Sequence, residues 1–186
     1  IIKIDAQRTP DERFDNLPGW PFVPRYIDDL PGYEGLRMHY IDEGPEGAPV
    51  TMLCIHGTPS WAYVYRKMIP VFVENGHRTL AIDLYGFGRS DKPKRDEDYG
   101  YHFHRGSIRA FIERLDLTNI CLVAQDWGGI LALSLIMDMP DRFSRLFLMN
   151  TSIPHGEEPT PGFNIWRKEN RSKYDNPVGE WIGSRT

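Results

Sequence analysis

The sequence predicts an α/β fold in which a mostly parallel sheet is covered by helices on both faces. Short apolar runs alternate along the chain with longer segments whose apolar residues recur at helical spacing. Most of the short runs are apolar without a break, which is typical of strands buried between two layers. These two observations indicate helices packed against both sides of one sheet.

The predicted strands are short apolar segments, several of which end at a residue that favours a turn, as at Gly44, Gly57 and Asn150. They lie at residues 36–44, 51–57, 78–83, 120–125 and 145–150.

Helices are predicted at residues 61–73, 103–115 and 128–139. The Asn75-Gly76 pair is a stop for the first of them. One apolar stripe on the second comprises Ile108, Phe111, Ile112 and Leu115.

The ends of the chain have a different character from its middle. Residues 1–35 are rich in Pro, Asp and turn dipeptides, and predict an irregular leader. After Asn150 the chain becomes polar and rich in Pro and Gly, which predicts a loop or an excursion over the sheet. We therefore divide the chain into residues 1–150, the N-terminal part of a core, and 151–186, the beginning of a second domain. The last strands and helices of the core are expected to lie outside these residues.

Composition excludes several classes of function. The 186 residues are 40% hydrophobic with a net charge of -4, an ordinary globular composition without the basic character of a nucleic-acid-binding protein. No apolar run approaches the roughly 18 residues of a membrane helix, and the N-terminus becomes charged too early for a signal peptide. Cys54 and Cys121 lie inside apolar runs and predict buried, reduced thiols in a cytoplasmic protein.

The segment AQDWGG, residues 124–129, carries the main chemical signal. It joins an apolar strand to an apolar helix, and small residues stand two positions before and after Asp126. This pattern predicts a sharp strand-to-helix turn that presents the central side chain as a nucleophile. Asp is also a good N-cap for the helix at 128–139, and that simpler interpretation stays open here.

Two further segments lie at predicted strand ends. HGTP, residues 56–59, directly follows an apolar strand. In folds with a nucleophile on a strand-to-helix turn, the loop after such a strand gives one backbone N–H to an oxyanion hole, and the residue after the nucleophile gives the other. Those donors would be the N–H groups of Thr58 and Trp127, although Gly and Pro also suit a purely structural turn. The Gly-rich segment at 83–91 lacks the Lys-Ser/Thr of a phosphate loop and is interpreted as a structural turn.

Together HGTP, DLYGFGRSDKP and AQDWGG resemble the α/β-hydrolase superfamily and, more narrowly, the haloalkane dehalogenases. The resemblance runs from Arg8 to Asn150 and resumes at GFNIW, residues 162–166. It implies an α/β-hydrolase fold with the start of a cap domain. It also implies that Asp126 displaces halide from a small haloalkane and that water then releases the alcohol. No metal or cofactor and no nucleic acid or membrane partner is expected.

The resemblance also implies a halide site. The indole N–H of Trp127 would bind the leaving halide, and since Thr58 cannot supply a side-chain amide, Trp166 would be the second donor. This places the chain in the two-tryptophan subgroup, with Phe163 and Ile130 expected in the substrate pocket. Judged by spacing alone, Phe163 and Trp166 would form one apolar face of a short helix.

The acid and the base of the second step are expected to be absent from these residues. His155 lies straight after a strand, where the family has no base, and Asn150 is not an acid. His102 and His104 are interpreted as packing or surface residues. Two rival functions remain open: an epoxide hydrolase, for which Tyr174 is the only tyrosine after Asp126, and a binding module without catalysis.

Overall fold

A computed structural model describes residues 4–153, 158 and 160–172, and of residues 166, 167 and 169–172 it describes the backbone only. The chain divides into two compact units, Ile1–Ile153 and Pro154–Thr186.

The first unit contains eight strands among its described residues, and helices alternate with the longer ones. The strands are β1 (Ala6–Gln7), β2 (Arg25–Ile27), β3 (Met38–Glu43), β4 (Thr51–Ile55), β5 (Arg78–Ile82), β6 (Lys92–Pro93), β7 (Ile120–Gln125) and β8 (Phe143–Met149). The α-helices of this unit are α1 (Met68–Glu74), α2 (Tyr101–Arg114) and α3 (Trp127–Asp138). Short 3-10 helices occupy Asp11–Phe14, Ala62–Tyr65, Asp96–Asp98 and Pro140–Arg142.

Six strands form one sheet in the order β2-β3-β5-β4-β7-β8. The pairs from β5 through β4 and β7 to β8 are parallel, whereas β2 and β3 enter antiparallel at one edge. The predicted fold class, a mostly parallel sheet flanked by helices, is therefore confirmed. β1 and β6 form a separate antiparallel pair.

The central strands bury both faces, as their unbroken apolar sequences predict. On β4, Leu53 and Ile55 belong to the larger buried cluster, to which α2 and α3 contribute. Met52 and Cys54 belong to the opposite cluster, together with α1 and the 3-10 helix at 62–65. Because successive side chains of a strand point to opposite faces, a continuous apolar run supplies both layers.

The predicted helix at 61–73 is wrong in its first half. The structure has a 3-10 helix at Ala62–Tyr65, and α1 begins only at Met68. Pro70 explains the break, because its ring would collide with the carbonyl of Arg66 and it has no N–H to donate. An α-helix can therefore accept Pro70 only in its first turn.

The predicted irregular leader contains two strands, β1 and β2. β2 is three residues long, too short for its alternation to be recognised in the sequence. Elsewhere the leader packs on the segment that follows β4, since the rings of Phe14 and Trp20 lie 5.4 and 5.3 Å from that of Trp61.

The second unit contains a helix, α4 (Pro161–Ser172), where the polar composition predicts a loop and the spacing of Phe163 and Trp166 predicts a short helix. The hydroxyl of Thr160 accepts a 3.3 Å hydrogen bond from the N–H of Phe163, and Pro161 takes the first helical position. Thr as N-cap followed by Pro is a recognised helix start, and it lies here in a polar segment. None of the helices in the described ranges is long and apolar enough to cross a membrane.

β8 is the last strand of the described sheet, and its middle is uncovered. Leu146, Phe147 and Leu148 are 51%, 49% and 40% exposed. Since these residues are consecutive, both faces of the strand present apolar side chains.

Candidate active site

Asp126 forms the turn between β7 and α3 with an uncommon backbone conformation, φ 54° and ψ −128°. A non-glycine residue with positive φ costs of order 1–3 kcal/mol and persists only where its surroundings impose it. The carboxyl end of β7 thus carries a strained turn at the position that the AQDWGG pattern predicts.

Backbone hydrogen bonds from two directions hold this turn. The N–H of Asp126 donates to the carbonyl of Asn150 at 3.1 Å, and the hydroxyl of Thr151 donates to the carbonyl of Asp126 at 2.8 Å. The same carbonyl accepts from the N–H groups of Gly129 and Ile130, at 3.1 and 3.3 Å, which start the helix. The chain just beyond β8 therefore fixes the conformation of Asp126.

Three glycines are required by close approach. A Cβ at Gly128 would collide with the carbonyl oxygens of Ile55 and His56, and one at Gly129 would collide with the side chain of Thr151. A Cβ at Gly57 would collide with the side chain of Asp126. The small residues of the motif therefore allow α3 and the end of β4 to approach the turn.

The side chain of Asp126 does not cap α3. Its Oδ1 instead accepts a 2.8 Å hydrogen bond from the backbone N–H of Thr58, in the HGTP segment. The strand register explains this contact. Ile55 of β4 pairs with Ala124 of β7, so Gly57 and Asp126, two positions later, meet beyond the carboxyl ends of these strands. The capping interpretation is wrong, because the carboxylate binds the loop after β4.

His56 connects this loop to the next strand end. It is fully buried; its Nδ1 lies 2.9 Å from the carbonyl oxygen of Gly57, and its Nε2 accepts from the N–H of Leu84 at 3.0 Å. Burial lowers the pKa of His56, against opposing contributions from Asp83, the Gly57 hydrogen bond and Asp126. The imidazole is therefore neutral and has both nitrogens occupied.

Asp83 organises the Gly-rich segment after β5. Its carboxylate accepts from the N–H groups of Ala62 and Arg89, at 2.9 and 2.8 Å, and lies 2.8 Å from Nδ1 of His39. Burial by itself would raise the pKa of Asp83, but His39, His56 and the backbone donors outweigh it, and the pKa lies below its ordinary value. The segment at 83–91 is thus a structural turn, and the buried carboxylate of Asp83 links it to β3 and to the segment after β4.

The remaining predicted residues occupy both units. Trp127 is the first residue of α3 and Ile130 follows one turn later; both are half-buried. Phe163 and Trp166 lie on α4 of the second unit, where Phe163 is 42% exposed. Binding of halide by the two indoles and lining of a pocket by Phe163 and Ile130 stay predictions.

Among the described residues, no histidine in contact with the Asp126 side chain is available as a general base to activate water. One histidine–carboxylate contact among them joins His39 to Asp83, and both side chains are fully buried. His56 has its Nε2 occupied by Leu84. The predicted misfit of His155 and the alternative that involves Tyr174 both fall on residues outside the described ones.

Sequence reasoning found Asp126 and Thr58 but missed three residues around them. Asn150 and Thr151 hold the strained backbone, and His56 holds the loop. Asn150 itself has φ 43°, and Asn is one of the few residues enriched in that region. A histidine directly after the buried strand β4 is the signal that could have pointed to a buried polar connection.

The sequence of this chain matches a known protein family and several of its members. The family model described as the alpha/beta hydrolase fold matches residues 50–175. Haloalkane dehalogenases from Psychrobacter cryohalolentis and Mycolicibacterium paratuberculosis are 47% and 43% identical over 182 residues. These alignments cover 96% of this chain and 59% and 60% of the relatives.

Solved structures give the same relationship. The tetrameric haloalkane dehalogenase of Paraglaciecola agarilytica NO2 is 53% identical with a TM-score of 0.91, over 97% of this chain and 60% of that one. An epoxide hydrolase of Vigna radiata is 26% identical with a TM-score of 0.66, over 82% of this chain and 48% of that one. The chain thus spans about 60% of the length of its dehalogenase relatives. With the family match over most of its length and a strained turn at the end of a parallel strand, the chain belongs to the α/β-hydrolase fold family.

Proposed function

We propose that the protein hydrolyses small haloalkanes to alcohol and halide through an alkyl ester on Asp126. One observation carries the proposal: a strained strand-to-helix turn presents Asp126, and the Thr58 N–H binds one oxygen of its carboxylate. A hydrolase that activates its nucleophile with a base would have serine at this position. The dehalogenase relatives, at 43–53% identity, support this chemistry over that of the epoxide hydrolases.

The first step is a displacement at saturated carbon. Oδ2 of Asp126 receives no hydrogen bond from the described residues and is free to attack. A C–O bond forms as the carbon–halogen bond breaks, and the halide leaves with the bonding electron pair. An aspartate needs no base for this attack.

The second step hydrolyses the ester. Water, deprotonated by a base, adds to the carboxyl carbon of Asp126 and creates an oxyanion between the N–H groups of Thr58 and Trp127. Collapse of this intermediate breaks the C–O bond of the ester and expels the alkoxide, which takes a proton and leaves as the alcohol. The base and its acid partner would lie outside these 186 residues.

The leaving halide would be bound by the indole N–H groups of Trp127 and Trp166. Indole is a donor without acceptor capacity on a large apolar body, so it stabilises an anion without hydrating it. Each such donor is worth about 3 kcal/mol of barrier by analogy with oxyanion-hole donors. Phe163 and Ile130 would line the apolar part of the pocket.

A cytoplasmic location goes with this proposal. Cys54 and Cys121 are both unpaired and buried in the described structure. A reducing compartment keeps thiols in that state.

The test is to trap the ester. The 186-residue chain treated with 1,2-dibromoethane should gain one alkyl group on the peptide containing Asp126, detected by mass spectrometry of a proteolytic digest. Asp126→Asn is the matched control and should gain none at that position. An unmodified Asp126 in folded wild-type chain would contradict the nucleophile assignment.

The epoxide hydrolase alternative has the support of the Vigna radiata structure, with its TM-score of 0.66. Bromide should quench tryptophan fluorescence if two indoles bind halide, and should leave an epoxide hydrolase unaffected. Turnover of an epoxide such as styrene oxide, without turnover of any haloalkane, would favour the alternative. A binding module without catalysis would keep its ligand affinity in Asp126→Asn and form no ester in the wild type.

A further inference from the structure

The peptide group between Gly57 and Thr58 is held at both of its polar atoms. Its N–H donates to Oδ1 of Asp126 at 2.8 Å. Its carbonyl oxygen lies 2.9 Å from Nδ1 of His56 and accepts from the N–H and the hydroxyl of Ser60, at 3.0 and 2.9 Å. A peptide group is planar, so the donors that hold its carbonyl oxygen also set the direction of its N–H.

The hydrogen bonds of His56 define its tautomer. The backbone N–H of Leu84 can only donate, so Nε2 of His56, 3.0 Å away, must carry a lone pair. In a neutral imidazole the proton then lies on Nδ1, which donates to the carbonyl of Gly57. Burial, which lowers the pKa of His56, keeps the ring in this neutral form.

We propose that His56 is a positioning residue that aims the Thr58 N–H at the oxygen of Asp126, with its own ring held by the N–H of Leu84. The inference rests on the proposed function, because the N–H matters for rate only if charge develops on Asp126. His56 thereby links the segment after β5, which holds its ring through Leu84, to the loop after β4, which carries the Thr58 N–H. The two strands are parallel neighbours in the sheet.

The two chemical steps should depend on this alignment in opposite ways. During ester formation negative charge leaves Asp126 for the halide, so the Thr58 N–H stabilises the starting carboxylate. During hydrolysis negative charge returns to an oxygen of Asp126, so the same N–H stabilises the transition state. Loss of alignment should therefore slow hydrolysis selectively and let the alkyl-enzyme accumulate. A defect of folding alone would lower both steps with the fraction of active protein.

Two substitutions of His56 separate its two hydrogen bonds. In His56→Asn the amide nitrogen stands at the level of Nδ1 and can still donate to the carbonyl of Gly57. In His56→Gln the amide reaches the level of Nε2 and can accept from Leu84, but it leaves the Gly57 carbonyl without this donor. His102→Gln, at an exposed position, is the matched control.

The experiment uses the complete gene product with 1,2-dibromoethane, acid-quenched during turnover and analysed by intact mass, together with single-turnover rates of ester hydrolysis. We expect His56→Gln to hydrolyse the ester about 10- to 100-fold more slowly and to accumulate the alkyl-enzyme. His56→Asn should stay within about threefold of wild type in hydrolysis, and His102→Gln should match wild type in both steps.

Ser60→Ala provides a second variant should His56→Gln fail to fold. It removes one donor to the same carbonyl and leaves His56 in place, so it should slow hydrolysis by a few-fold, with partial accumulation of the ester. Equal hydrolysis rates in His56→Asn and His56→Gln, or slow hydrolysis without accumulation, would overturn the positioning role while wild-type turnover upheld the proposed function. Absence of both turnover and adduct in the folded wild type would overturn the function itself, and this inference with it.

Discussion

Replacing Asp83 with asparagine is expected to lower the free energy of unfolding by about 3–5 kcal/mol. The fully buried carboxylate accepts from the N–H groups of Ala62 and Arg89 and contacts His39. An asparagine amide has one acceptor oxygen, so in either orientation its NH2 group faces a donor. One orphaned buried donor costs about 1–3 kcal/mol, and the NH2 group that faces it is a second buried donor without an acceptor, which raises the total into the expected range.

The assay is urea denaturation at pH 7 followed by tryptophan fluorescence and far-UV circular dichroism. Asp141→Asn, on an exposed residue, is the control and should change stability by no more than about 0.5 kcal/mol. If Asp83→Asn also unfolded within about 1 kcal/mol of wild type, the carboxylate would not be the anchor of the turn.

The same substitution has a defined pH dependence. The pKa of Asp83 in the folded protein lies below its ordinary value of 3.8, because hydrogen bonds from His39 and the backbone outweigh the effect of burial. Its stabilisation is therefore complete above the unfolded value and is lost as the pH falls through the folded one. The stability difference between wild type and Asp83→Asn should be constant from about pH 5 to 7 and shrink below pH 3.8. A difference that grows towards acid pH would refute the reasoning.

Three further substitutions test the turn and the sheet edge. Gly128→Ala should lose about 3 kcal/mol or more of stability, because its Cβ meets backbone oxygens that cannot move aside, whereas Gly47→Ala, with open space around it, should be neutral in the same urea titration. Thr151→Val should lose about 1–2 kcal/mol by removing the hydroxyl that donates to Asp126, and Thr151→Ser should retain most of it in thermal melts. Phe147→Lys should reduce light scattering of the concentrated 186-residue chain, since the side chain is 49% exposed on the last strand of the described sheet; unchanged scattering would mean that β8 does not drive association.

The sequence predicted the parallel strands because their burial on both faces leaves a continuous apolar run. It failed where a local feature competes with the pattern: Pro70 delays α1 until Met68, and the three residues of β2 are too few to show a period. The Thr160-Pro161 start of α4 was present in the sequence but lay in a polar segment that suggested a loop.

The candidate site was predictable only in part, for a physical reason. Asp126 is marked by residues adjacent to it in sequence, and Thr58 by the strand that precedes it. His56, Asn150 and Thr151 act through backbone atoms of other segments, and no local pattern records which carbonyl or N–H a side chain will meet. Their roles become visible only once the pairing of β4, β7 and β8 is known.

The hydrogen bonds from beyond β8 to Asp126 have a consequence for protein engineering. The reactive turn is a joint property of two adjacent strands, since Asn150 accepts its N–H and Thr151 donates to its carbonyl. Grafting the six-residue motif into another scaffold would transfer the sequence without the conformation, unless the host sheet supplied equivalent groups from a neighbouring strand. For the same reason, a split version of this protein should be divided after Thr151 and never within 127–150. Asp126 and the two residues that hydrogen-bond to its backbone, Asn150 and Thr151, then stay on one fragment.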